Sequence, residues 1–159
     1  MRSMQAPDIT IRPANREEVS AIVALLAEDP LGATREDPAD LAAYLRAFDD
    51  MVAQGGNELL VAERAGSTAK EVIGCLQLTL IPGLSRHAVK RGLIEGVRVA
   101  AQYRGLGIGE RLIRHAIKVS RAAGCGLVQL TSDNSRADAH RFYGRLGFIA
   151  SHTGFKLAL

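Results

Sequence analysis

Tryptophan is absent from this chain, and aromatic residues fill only 4% of its 159 positions. Surfaces that stack nucleic-acid bases need several rings, so the composition speaks against a nucleic-acid partner. No block of Lys and Arg is long enough to form a nucleic-acid arm either. An apolar run of 18 residues is missing, as is the apolar core of a signal peptide, which predicts a cytoplasmic protein with no membrane contact. Cysteine is scarce. Cys75 and Cys125 stand far apart without metal-ligand spacing and read as two reduced, packed thiols. No other set of His, Cys and carboxylates has ligand spacing, so no metal is expected.

What the chain does contain is a globular composition, 47% hydrophobic and 23% charged. Its length suits one domain over residues 1–159, with residues 1–7 expected to be disordered. A net charge of +3 favours a small polyanionic ligand through electrostatic steering.

Local patterns predict an order of elements. Ile9-Thr10-Ile11-Arg12 alternates and stops at Pro13, as a strand does. Asn15 and Glu18 form a capping-box pattern ahead of the stripe Val19, Ile22, Val23 and Leu26. A second helix is expected with Asp37 as cap, Pro38 in its first turn and Gly55-Gly56 as its stop. Strands 58–63 and 72–80 follow, joined by a hairpin loop over 65–70. The basic stretch 84–91 lacks periodicity and reads as a mobile loop. A strand over 93–99 leads into a glycine-rich segment and a helix with Ile108, Leu112, Ile113, Ala116 and Ile117 on one face. Residues 127–131 form a short strand. A last helix from about Arg136 carries Ala139, Phe142, Tyr143 and Leu146, and 148–159 reads as one or two closing strands. Helices and strands intermix, which is the pattern of a mixed sheet covered by helices.

The glycine-rich segment, Gln102-Tyr103-Arg104-Gly105-Leu106-Gly107-Ile108-Gly109, is the strongest signal. Glycines just where a helix starts leave its unpaired N–H groups open, and the helix dipole favours negative charge, so a phosphate fits there. A P-loop would need Lys and then Ser or Thr after the last glycine, but Glu110-Arg111 follow. A dinucleotide fingerprint would need glycine at Glu110 or at Leu112. The pattern that fits is Q-x-x-G-x-G, at Gln102, Gly105 and Gly107, which resembles the acyl-CoA pyrophosphate loop of the GNAT superfamily of N-acetyltransferases.

Three more features occur in the order of that family: the strand Ile94-Glu95-Gly96-Val97-Arg98-Val99, the strand end Thr131-Ser132-Asp133-Asn134, and A-H-R-F-Y-x-x-x-G-F from Ala139 to Phe148. The resemblance covers nearly the whole chain. It implies a mixed α/β fold: a mainly antiparallel sheet of six to seven strands with about four helices, splayed between the fourth and fifth strands. It implies acetyl-CoA as co-substrate and a small-molecule primary amine as acceptor, in a possible homodimer. Backbone groups of Val97, Arg98 and Val99 would hold the pantetheine arm. Arg104, Gly105, Leu106, Gly107, Ile108 and Gly109 would surround the pyrophosphate, with Asn134 and Arg141 as further contacts. Gly96 suits a bulge in that strand. Arg104 could equally be solvated, and Asn134 could instead cap the helix after it.

The family's chemistry also points to particular side chains. Amine attack needs a neutral nucleophile, donors for the oxyanion and a proton for the leaving thiolate. The resemblance places Tyr143 beside the sulfur as general acid, although Tyr143 also belongs to an apolar stripe. Glu95 is the candidate base; burial would raise its pKa, while the competing role is a structural pair with Arg91 or Arg98. The Val97 N–H is the implied oxyanion donor. His140 reads as structural, His87 lies in the basic loop, and His115 faces outward. Arg86, Lys90 and Arg91 would suit an acidic acceptor, but a solvated basic loop is the simpler reading. Ser151-His152-x-x-Phe155 is similar to the end of bacterial enzymes acting on aminoalkylphosphonates. The alternative functions are a non-catalytic acyl-CoA sensor and a protein N-terminal or lysine acetyltransferase.

Overall fold

Five strands lie side by side in chain order in the computed structural model, which describes residues 7–65 and 70–159. Residues 1–6 of the expected disordered start and 66–69 of the expected hairpin loop lie outside the described residues. The strands are β1 (Ile9–Pro13), β2 (Asn57–Ala65), β3 (Lys70–Ile81), β4 (Arg91–Val99) and β5 (Leu127–Leu130). All pairs are antiparallel except β4–β5, which is parallel. A parallel pair needs a crossover connection, and the helix α4 (Ile108–Ala122) supplies it.

Helices cover both faces. Alternate strand residues point to opposite sides, so Leu60, Leu76, Leu78 and Ile94 meet Ile108, Leu112, Ile113 and Ala116 of α4. Each fully buried Leu or Ile in this layer contributes about 1.5–3 kcal/mol. α5 (Ala137–Arg145) adds Phe142 and Tyr143 to the same layer. On the other face Val61 and Cys75 pack with Ile22 and Leu25 of α1 (Val19–Ala27), beside α2 (Leu41–Gln54). Gly92 of β4 lies against α4: a Cβ there would stand 2.5 Å from Ser120 Oγ.

Several boundaries differ from expectation. Glu18 accepts from the Asn15 N–H at 2.7 Å as its box predicts, but a 3-10 turn, Arg16–Glu18, precedes α1. α2 begins at Leu41 with Asp40 as cap, its carboxylate accepting from Ala43 N at 3.2 Å. Asp37 is occupied by a local turn, accepting from Ala39 N at 3.1 Å, and so starts no helix. Within 84–91 the chain makes a single turn, α3 (Ser85–Ala88), with positive φ at Arg86, His87 and Ala88. The sheet has five strands where six to seven were expected, because 148–159 pairs with no strand and leaves Phe155 and Leu157 exposed. Alternation says which side a strand would bury; it does not supply the partner edge that makes a strand.

Candidate active site

The splay expected between the fourth and fifth strands is present. Pairing of β4 with β5 ends at Ile94↔Leu130, while β4 runs on to Val99. Gly96, at φ +60°, sits where the β3–β4 register shifts by one residue, which is the expected bulge. Beyond it Ala100 N donates to Ile73 O on β3 at 2.9 Å. Alternation then turns the N–H and C=O groups of Val97 and Val99 to the open side, where β5 no longer reaches. The Val97 carbonyl accepts from Arg98 Nη1 at 2.9 Å and the Val99 carbonyl from Arg104 Nε at 3.0 Å. Their N–H groups face the gap without a strand partner, an edge ready for an extended ligand.

A cavity of about 720 Å³ occupies the gap, lined by Val97, Val99, Arg104, Gly105 and Gly109 on one side and by α5 with the residues before it on the other. Gly105 and Gly107 have φ of +76° and +79°, a region that favours glycine, and nothing stands within 4 Å of a Cβ at either. The loop therefore approaches α4 with no side chain over the helix N-terminus. Bare N–H groups and the positive end of a helix suit a pyrophosphate, so this cradle fits an acyl-CoA. Ile108 is buried and Leu106 packs on the core, so both can offer only backbone here.

Not every expected contact converges. Arg104 reaches back to Glu28 at 3.1 Å, which neutralises it. Arg141 lines the cavity but pairs with Asp138. Asn134 is exposed and caps nothing. Asp133 shapes the turn into α5 instead, its carboxylate accepting from the Ser135 N–H at 2.9 Å. Lys90 donates to Ala123 O at 2.9 Å, away from the cavity, and the cavity wall includes none of Arg86, Lys90 and Arg91. His140 Nε2 meets Asp133 O at 2.9 Å, a structural tie across the same turn.

Tyr143 lines the cavity, with its ring edge-on to Phe142 and Phe148 at 5.1 and 5.9 Å between centroids. Among the described residues its hydroxyl has no hydrogen-bond partner. Burial raises its pKa, and the positive charges of Arg136 and Arg98 pull it partly back. It is a protonated phenol at neutral pH. Glu95 departs from expectation: it is exposed, and the burial foreseen for it does not occur. It lies opposite Gln77 on β3, on the other face from Ile94, because residues either side of a strand position alternate. Cys75 is inert, its thiol pushed up to about 12 by burial. Among the described residues no group of three or more His, Cys, Asp or Glu could hold a metal ion.

Sequence reasoning expected the stretch 28–38 to line the acceptor site but singled out neither Asp29 within it nor Arg136. Asp29 follows α1 and Arg136 precedes α5, yet the Asp29 carboxylate lies 3.3 Å from Arg98 Nε and 3.8 Å from Arg136 Nη2. No local pattern could have joined them, since the three come from segments far apart in the chain.

A splayed parallel pair with a glycine cradle at one end and a phenol beside the open edge defines an acyl-group transferase fold. The chain belongs to the Acetyltransferase (GNAT) family, whose model matches residues 20–148. It is an acetyltransferase of this family, whose members draw on acetyl-CoA. It is 31% identical over 153 residues to an aminoalkylphosphonate N-acetyltransferase of Salmonella typhimurium, covering 96% of this chain and 93% of that one. It is 35% identical over 88 residues to a glucosamine 6-phosphate N-acetyltransferase of Trypanosoma brucei brucei, 55% of this chain and 58% of that one. Among solved structures, a transcriptional regulator from Bacillus halodurans C-125 superposes with a TM-score of 0.89 at 42% identity, covering 96% of this chain and all of that one. No helix among the described residues is long and apolar enough to cross a membrane.

Proposed function

We propose that this enzyme moves the acetyl group of acetyl-CoA to the primary amine of a small molecule, by direct attack while both substrates are bound. The open edge of β4 beside Tyr143 carries this reading, because it offers an extended thioester arm free N–H donors next to a proton source. Named relatives that acetylate aminoalkylphosphonates and glucosamine 6-phosphate support a small amine as acceptor.

Acetyl-CoA supplies the activated acetyl group. Glu95, exposed on the sheet face that carries α1, takes through water the proton that keeps the amine an ammonium. The Val97 N–H donates to the carbonyl oxygen as it gains charge. As the C–S bond breaks, Tyr143 gives its phenolic proton to the departing sulfur; the nitrogen sheds its second proton to water, and the phenolate is reprotonated from solvent. The first turn of α4 and the glycines at 105, 107 and 109 hold the pyrophosphate. Two unpaired cysteines fit a reducing, cytoplasmic setting.

The test is thiol release from acetyl-CoA across a panel of amino acids, polyamines, aminophosphonates, aminosugars and peptides. Release with a small amine, lost in Tyr143→Phe, supports the assignment. Acetyl-CoA binding without release for any amine would make the protein a sensor instead, and release with peptides alone would make it a protein acetyltransferase.

A further inference from the structure

Two arginines in this cavity are not used by the chemistry above. Arg98 projects from β4 and Arg136 from the start of α5, so they approach the cavity from its two opposing walls. Like charges do not gather without cause. Asp29 holds them: it is 13% exposed, and one of its oxygens serves both guanidiniums. Its other oxygen accepts from the Gly32 N–H at 2.5 Å, which fixes the carboxylate in place. Arg35 and Asp133, 4.0 Å apart, stand close by, so three guanidiniums face two carboxylates. The cluster keeps an excess positive charge.

The donors are also under-used. A guanidinium carries five N–H groups in a fixed fork. Among the described residues, the Arg98 side chain makes one hydrogen bond, to the Val97 carbonyl, and the Arg136 side chain makes none. Arg98 Nε is buried without a hydrogen bond. Arg98 Nε has only its charge pairing with Asp29, and the Arg136 side chain is 40% exposed, so an anion with two or three oxygens would find several donors open at once. The pyrophosphate does not answer this need, since the glycine loop lies beyond Val99. Moreover Arg98 faces the opposite side of the sheet from Val97 and Val99, the same side as Glu95.

We infer that the acceptor is a small amine that also carries an oxyanion, a phosphonate, phosphate or carboxylate, gripped by the paired guanidiniums of Arg98 and Arg136. The inference rests on the acetyltransferase reading and names its acceptor class. Both arginines and Tyr143 line the same cavity, so the anion sits near the reacting centre and the amine is joined to it by a short linker. Asp29 positions the pair and limits its charge, so that the anionic product can leave.

The experiment compares 2-aminoethylphosphonate, β-alanine and ethanolamine as acceptors at saturating acetyl-CoA. The two anionic amines should exceed ethanolamine in kcat/KM by about 10-fold or more, since the pocket's charged donors are left unpaired by the neutral one. In R136Q that ratio should collapse, mainly through KM, while Arg114→Gln on the outer face of α4 keeps it. Preference for phosphonate over β-alanine assigns a tetrahedral anion; the reverse assigns a carboxylate. Methylphosphonate, which has no amine, should bind the wild-type protein with CoA present, by calorimetry, and bind R136Q at least about 10-fold more weakly. Equal use of ethanolamine, or an unchanged ratio in R136Q with undiminished methylphosphonate binding, overturns the inference. If no amine is acetylated, the transferase reading falls, and the methylphosphonate titration still decides the anion subsite.

Discussion

Tyr143 shows how one residue can belong to the core and still face the cavity. Its ring packs edge-on between Phe142 and Phe148, while its hydroxyl lies in the cavity with no protein partner. Tyr143→Phe keeps the packing and removes the proton, so kcat should fall about 100-fold or more with little change in Tm. Steady-state kinetics beside a thermal melt check this, and an unchanged kcat would remove Tyr143 from the mechanism. The candidate acid was readable because A-H-R-F-Y-x-x-x-G-F is a local pattern. Glu95 was readable as a candidate but not as an exposed one, since exposure depends on what α1 and α2 leave uncovered.

At the scale of elements, two contacts hold the frame of the site. Gly92 lets β4 approach α4 closely, and a Cβ would stand 2.5 Å from Ser120 Oγ. Gly92→Ala should therefore cost about 1–3 kcal/mol, seen as a lower urea midpoint at unchanged m-value. Arg12 of β1 ties the first strand to its neighbours, donating from Nε to Glu63 of β2 at 2.8 Å and from Nη2 to Glu18 at 2.6 Å. It holds both carboxyls below the ordinary carboxylate value of 4.5. A lowered folded pKa stabilises the fold above the unfolded value and is lost as pH falls through the folded one. The advantage of wild type over Arg12→Gln should be full at pH 7 and shrink toward pH 3, in urea melts at both. An advantage that grows on acidification would contradict the assignment. The strands and helices themselves were legible because periodicity and capping act over a few residues. The start of α2 was not, since the expected cap, Asp37, is drawn into a turn of its own and Asp40 caps the helix instead.

For the whole molecule, ligand and fold are linked. CoA at about 100 times its Kd should add about 2.7 kcal/mol, or a rise in Tm of roughly 5–10 °C for a chain of this size. Gly107→Val must place a branched residue at φ +79° in the glycine loop proposed to hold the pyrophosphate and should lose most of that rise. A full CoA shift in this variant would move the pyrophosphate elsewhere. The glycine loop, the order of the main elements as far as the last helix and the candidate acid were legible in the sequence alone, because dihedral freedom, apolar spacing and helix starts are local properties. The tertiary structure decided the rest: five strands rather than more, the exposure of Glu95, and above all the meeting of Asp29, Arg98 and Arg136. Strand ladders need a partner edge, and charge pairs need side chains from distant segments. Coulomb energy depends on separation in space, which a linear pattern does not record.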